Sequence, residues 1–472
     1  MKRAYRLTMM AAILCGGSLF CFTGCDQQEP PETIAVVASA DLAGGNNGTL
    51  SLINTDLPHD DHTVIEGVKK PTHVIISPDG GAAYVCGSSE AVIAVVDIAT
   101  RSVTKYDVNG NTIWDMALTK DGKRLVVGTN RGLLNYGRII VYDTADMRVL
   151  NDFIAYENEM LPTSVYGCKL AVHPTSGYLY VISKDIFSTN IYVRAFSPEG
   201  LLVGQRIKIA SQSWFGGDFD DYDIGISPDG KLLLAVSSDV FPFAIDDLTF
   251  EPHSLYGNMG LGVDNSPALK GKSTLLFTDN GKYMYVNSTG IRYFDLINDG
   301  GGSLLLSRKK IMAEEEAPVL YDIIDFIEDM VPILSTYFAG ETYQKIVDMF
   351  MGENLFGVAA STVQGNTCYM LLAPVVDAAT VTESGAYLLL ISSYDPILGM
   401  NILSDVRLLT EYPNGISVNG KKNTLTISYS RTGLKQLEIV KKSPLGGWTF
   451  SGSEIIDLEN NPRVSGIATC QP

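Results

Sequence analysis

Seven residues before a recurring turn glycine stand His73, Asp115, Asp223 and Thr274; eight before it stand Thr72, Trp114, Tyr222 and Ser273. Lys169 falls near the same level, with one extra residue in its turn. An imidazole, carboxylates and an ammonium group at one level could exchange protons or hold a polar ligand. Aromatic rings beside them could stack on a sugar or a flat ring. A purely structural position would be expected to carry Val or Ile instead. The same residues would equally suit a water-filled channel whose polar groups satisfy one another.

A second group of these types lies in one loop. Trp214-Phe215-Gly216-Gly217-Asp218-Phe219-Asp220-Asp221-Tyr222-Asp223 sets four carboxylates among aromatic rings. Such oxygens could bind Ca²⁺, but the alternating acidic pattern closing on Glu is absent, so ligand contact by Trp214 and Tyr222 is the chemistry kept. His59-Asp60-Asp61-His62 offers two imidazoles three apart, yet they follow Leu57-Pro58 in a loop with no third ligand nearby, and a surface turn is expected. No metal or cofactor is implied. G-x-S-x-G, H-E-x-x-H and P-loop patterns are missing, so the chain leans away from the enzymes those motifs mark.

The elements that would position these residues repeat along the chain. Val74-Ile75-Ile76-Ser77-Pro78-Asp79-Gly80 is followed by Ala83-Tyr84-Val85 and Ile93-Ala94-Val95-Val96-Asp97. The pattern returns at Met116–Gly122 with Leu125-Val126-Val127 and Ile139–Asp143, then around Ser227-Pro228-Asp229-Gly230 and Thr278-Asp279-Asn280-Gly281. Pro pre-sets φ, Asp tolerates the turn, and Gly supplies positive φ before the return strand. Anchored on Gly80, Gly122, Gly177, Gly230, Gly281, Gly365 and Gly420, most repeats are 42 to 55 residues long, the size of a four-stranded propeller blade. Residues 34–66 read as a blade lacking its first strand, and Pro462–Ala468 as a first strand lacking its blade. Joining them closes a ring and removes the open sheet edge. The expectation is an all-β propeller of eight four-stranded blades, seven being the alternative. Arg463 comes from the closing strand. Residues 312–354 interrupt the repeats: Leu320, Ile323, Ile324 and Ile327, then Tyr343, Ile346, Val347 and Phe350, follow helical spacing. A helical hairpin packed on the propeller is expected, with a lid or partner-docking role as the sharper reading.

Composition narrows the setting. The chain has 472 residues, 46% hydrophobic and 19% charged, which excludes global disorder. Its net charge of −18 argues against nucleic acid or anionic lipid as the main partner. Lys2, Arg3 and Arg6 precede an apolar stretch from Leu7 to Phe22, too short for a comfortable membrane span. It ends in Phe22-Thr23-Gly24-Cys25, which resembles the lipobox of bacterial lipoproteins, although those favour Leu where Phe22 stands. Residues 1–24 are then a signal peptide, Cys25 the lipidated residue, 25–32 a tether, and 33–472 the propeller. Cys86, Cys168, Cys368 and Cys470 would be buried thiols, Cys86–Cys470 being the one disulfide that neighbouring blades allow.

The repeats resemble the YVTN-type, lactonase-like propeller family of bacterial envelope proteins through the SPDG turns at 77–80 and 227–230, Tyr84-Val85-Cys86, and the strand ends at Asp97 and Asp143. The resemblance covers the mature chain apart from the insertion and describes a scaffold. The stretch Val37–Ala40 to Asn46–Ser51 is also similar to surface lipoproteins of this fold, some of which pass a captured nutrient such as a corrinoid to a TonB-dependent transporter. Three Trp in all exclude the per-repeat Trp motif of quinoprotein propellers. Three classes remain. One is a lipid-anchored envelope propeller, more readily on the outer than the inner membrane, binding a small molecule, glycan or partner protein through His73, Trp114, Asp115, Lys169, Trp214, Tyr222, Asp223 and Arg463. The second is a lactonase-like hydrolase on the same residues; the third is a non-catalytic assembly scaffold.

Overall fold

The computed structural model describes strands, tight turns and adjoining connections between residues 34 and 469. Residues 1–33, 470–472 and several connecting segments, the longest being 41–47, 155–164, 212–221, 256–272, 289–302, 324–338, 348–355 and 375–386, lie outside the description. Residues 33–472 form one compact unit and 1–32 another. Within the larger unit, thirty-two strands form eight four-stranded sheets, and strands within each sheet pair antiparallel in sequence order from the inside outward.

The eighth sheet is the exception in sequence and confirms the closure. Its inner strand, Arg463–Thr469, pairs antiparallel with Ile34–Ala40, Ala35 opposite Thr469 and Ala40 opposite Arg463. Inner strands of neighbouring blades contact one another, Arg463–Thr469 lying between Pro413–Asn419 and Pro71–Ile76. The strands are apolar on both faces because each sheet is sandwiched: Leu232–Val236 is buried at every residue. Eight apolar clusters fill the eight interfaces between blades.

The recurring turns have a side-chain basis. Ser77 Oγ donates to Asp79 Oδ1 at 2.6 Å and accepts from the Ala82 N–H at 2.9 Å, while Gly80 adopts φ 74°. Thr119 with Asp121, Ser227 with Asp229 and Thr278 with Asn280 repeat the hydroxyl-to-acceptor bond. Each turn also leans on the next. A Cβ on Gly122 would lie 2.8 Å from Pro78 Cδ, and one on Gly281 3.1 Å from Pro228 Cδ. His173, in the Ser position of its turn, contacts Gly230 O through Nε2 at 3.1 Å, a structural use of the ring. Gly420 departs from the pattern: Asn423, at φ 53°, supplies the left-handed residue of the last turn.

All first-to-second and third-to-fourth strand turns lie on one face of the ring, here the turn face. The links between blades and the second-to-third connections lie on the other, the linker face. Ile34 begins the second strand of its blade and therefore starts on the turn face.

The insertion differs from its expected bounds. A five-residue helix, Arg308–Met312, leaves the fifth blade's third strand, and Val319–Asp322 then returns as that blade's fourth strand, with Leu305 opposite Tyr321. Leu320 is thus a strand residue, not the first position of a helix; completing the sheet's hydrogen bonds outweighs the local helical pattern. Residues 323, 343, 344 and 347 are helical, and Ile323, Tyr343 and Val347 pack on the cluster between the fifth and sixth blades. To that extent the insertion packs on the propeller. Cys86 and Cys368 are buried free thiols, so Cys86 is not disulfide-bonded to Cys470.

Candidate functional site

His73, Asp115, Lys169 and Asp223 stand on the inner strands of four consecutive blades: Pro71–Ile76, Thr112–Leu118, Val165–Val172 and Asp223–Ile226. The turn spacing puts them at one level, and local irregularities refine it. The register breaks between Pro71 and His73, between Ile113 and Asp115, and between Tyr166 and Lys169. In each case the residues skipped, Thr72, Trp114 and the pair Gly167 and Cys168, form a bulge that re-aims the residue after it.

The four groups form a coupled arc. His73 Nε2 is 3.8 Å from Asp115 Oδ1. Asp115 Oδ1 accepts the Met116 N–H at 2.9 Å, and Oδ2 accepts the Leu170 N–H of the next blade at 2.9 Å. Asp223 repeats the arrangement, accepting from Ile224 at 2.9 Å and from Leu275 of the following blade at 2.6 Å. Burial pushes the Asp115 carboxyl up to about 6, against the pull of Lys169 and of the two N–H donors and with a further push from Asp223. The Cys86 thiol near Asp115 is also pushed up, by burial first and by the Asp115 charge second. The arc can hold or pass a proton near neutral pH, and it presents charges of both signs to a polar molecule.

The other expected site residues divide. Trp114 lies across Gly128, where a Cβ would come within 2.2 Å of its ring, and it packs on the cluster between the second and third blades. Its Nε1 is buried without a hydrogen-bond partner. Tyr222 is 3% exposed, inside the cluster between the third and fourth blades. Both rings pack at blade interfaces, Tyr222 buried and Trp114 half-buried. Arg463 opens the closing strand, and its side chain lies outside the description, as do Trp214 and the acidic loop before Tyr222. Residues 59–61 also lie outside it, while His62 begins a fourth strand opposite Ile53. Among the described residues, no three His, Cys, Asp or Glu side chains are grouped to hold a metal ion. The blade-to-blade clasps of Asp115 and Asp223 were not legible in the sequence; the only signal was the shared spacing of the two aspartates.

No family model matches the chain, and no curated protein matches it. Solved structures do share its fold. Apo AztD from Citrobacter koseri superposes with a TM-score of 0.54 at 11% identity, over 93% of this chain and 98% of that one. Dihydro-heme d1 dehydrogenase NirN in complex with DHE gives 0.53 at 12% identity, over 92% and 74%. The periplasmic gluconolactonase PpgL of Pseudomonas aeruginosa gives 0.44 at 12% identity, over 93% and 99%. At these identities the likeness is one of fold alone, a β-propeller.

Proposed function

We propose that this chain is a lipid-anchored propeller of the bacterial envelope that binds a small polar molecule or glycan at the arc of His73, Asp115, Lys169 and Asp223. The observation carrying the proposal is that arc: four titratable groups at one level of four adjacent inner strands, with Asp115 held partly protonated near neutral pH. Inner strands need apolar residues to pack, and four titratable ones in consecutive blades go beyond that need. Lys169 and His73, the arc's two basic side chains, are assigned to direct contact with the ligand's acidic or hydroxyl groups. Anchoring through Cys25 rests on the basic, apolar and Gly-Cys segments of the N-terminus.

The test is a mild-detergent purification of the full lipidated chain, with mass spectrometry of both small molecules and co-purifying proteins. A stoichiometric polar molecule lost on Lys169→Met and His73→Gln, with unchanged melting temperature, supports the proposal. An outer-membrane transporter in the same fraction would place the protein as its feeder. A protein that carries nothing, and that no polar metabolite stabilises in a thermal-shift screen, overturns it.

A second reading draws on the 3.8 Å separation of His73 and Asp115, an acid–base pair of the kind a lactone hydrolase needs. Hydrolysis of a lactone panel, abolished by His73→Gln, would select it.

A further inference from the structure

Polar side chains pass through the apolar interface between the fifth and sixth blades in three layers, and strand pairing fixes which residues share each layer. Nearest the linker face, Asn287 and Ser303 lie opposite one another on the fifth blade, and Ser361 and Met370 on the sixth. Tyr285 and Leu305 come next, packed against the sixth blade where Cys368 lies opposite Ser392. Nearest the turn face, the ring of Tyr283 is 4.6 Å from that of Tyr394, which lies opposite Asn401. Successive layers are two residues apart, about 7 Å along the strands.

The first layer satisfies itself. Asn287 Nδ2 donates to Ser361 Oγ at 2.8 Å, and Ser303 Oγ donates to Asn287 Oδ1. The other two layers do not. Tyr285 is 0% exposed and Ser392 and Asn401 are 1% exposed, yet Tyr285 Oη, Ser392 Oγ, Asn401 Oδ1 and Asn401 Nδ2 have no hydrogen-bond partner in the protein. Burial pushes the Tyr285 phenol above its ordinary range, Cys368 adds to that push and the Ser392 hydroxyl opposes it, so both side chains lie near the hydroxyl end of the ring. Ser392 is thus close to Tyr285 Oη without bonding it.

A buried hydroxyl or amide with no partner forfeits the bonds it made to solvent when the chain was unfolded. Here two hydroxyls and one amide stand in adjacent layers of one interface. Each hydroxyl can donate once and accept, and the amide can donate twice and accept at its oxygen. That set matches a buried water, which makes about three hydrogen bonds to otherwise unserved polar groups. The groups are neutral, as is the Cys368 thiol that burial pushes up, so they suit water better than an ion. We infer that ordered water is built into the interface between the fifth and sixth blades, bonded to Tyr285 Oη, Ser392 Oγ and the Asn401 amide. Such water ties the outer strand of the sixth blade, near whose start Asn401 stands, to the second strand of the fifth. Ile323, Tyr343 and Val347 of the insertion pack on the same interface, so it also steadies the surface that receives them.

A high-resolution crystal structure of the full chain tests this directly. Density for water within about 2.6–3.2 Å of the Asn401 amide and of either hydroxyl supports the inference. An interface that holds no such density, or a direct Tyr285–Ser392 bond in its place, overturns it. A peak ringed by several oxygens at shorter, metal-like distances overturns it in favour of a cation. The second arm compares Tyr285→Phe, Ser392→Ala and Asn401→Leu in urea. Each removes a partner of the held water, so each midpoint should fall by about 0.3 M. Tyr285→Phe and Asn401→Leu together should depart from additivity through the water they share. In a dry interface the same substitutions only remove stranded polar atoms, and midpoints unchanged or raised in all three overturn the inference. Neither arm depends on what the arc of His73, Asp115, Lys169 and Asp223 binds.

Discussion

Asp115 reaches across a blade boundary to accept the backbone N–H of Leu170 at 2.9 Å. Inner strands have one edge with no strand partner, and the carboxylate supplies a bond that edge lacks. Asp223 does the same for Leu275. Two features of the arc, its charge and its mechanical role, are thus carried by the same atoms.

Asp115→Asn keeps one acceptor oxygen and replaces the other with an NH₂ group, so one of the two N–H donors loses its partner. A loss of about 1–3 kcal/mol in urea denaturation is expected, with Asp115→Ala costing more. Asp223→Asn should match it, and the double variant should depart from additivity because the two carboxylates repel one another. Wild-type stability in both single variants would show that these bonds hold nothing.

The pH dependence of stability has a defined sign. Burial raises the Asp115 pKa from 3.8 to about 6, so the folded protein keeps a proton that the unfolded chain has released. Its contribution is complete below 3.8 and is lost as the pH rises through about 6. Asp79 works the other way: bonds from the Ser77 hydroxyl and the Gly81 N–H hold it below its ordinary value, and that stability is lost on acidification. Comparing Asp115→Asn with wild type isolates the first effect. The variant's urea midpoint should no longer decline between pH 4 and pH 6, and an unchanged decline would reassign the proton to another group.

Turn glycines should differ according to what they face. Gly365, at φ 59°, has nothing within 4 Å of an added Cβ, so Gly365→Ala pays only backbone strain of about 1 kcal/mol. Gly122→Ala adds a contact of 2.8 Å with Pro78 Cδ in the neighbouring turn and should cost about twice as much or more. Gly128→Ala should displace Trp114, visible as a change in tryptophan emission. Thermal denaturation of all three in parallel checks the ranking.

Cys86 and Cys368 are buried, and burial pushes both thiols above their ordinary range. Neither should react with iodoacetamide in the folded protein, and both should react fully in denaturant; peptide mapping by mass spectrometry gives the answer site by site.

The sequence showed the ring because its signals are local. Ser77-Pro78-Asp79-Gly80 specifies its own turn, and the apolar triplets on either side specify buried strands. Ring closure was also readable, since Pro462–Ala468 repeats the wording of Pro71–Ser77. Trp114 and Tyr222 were harder: an aromatic residue eight positions before a turn glycine reads the same whether it faces a channel or a neighbouring sheet. The difference depends on a bulge and on Gly128, which lies on another strand. Leu320 shows the opposite error, where helical spacing matched but the fifth blade still required an outer strand. Spacing placed His73, Asp115, Lys169 and Asp223 at one level, but whom the carboxylates bond is a relation between blades that no single repeat contains.

The partner of Ile34–Ala40 is synthesised more than 400 residues later, at Arg463–Thr469. During translation the ring therefore cannot shut until Arg463–Thr469 has been made, and the second strand of the eighth blade waits for its inner partner. Contacts this distant in sequence form slowly. The other seven sheets need only strands adjacent in sequence, so pairing of Ile34–Ala40 with Arg463–Thr469 is the one strand pairing that couples the two ends of the ring.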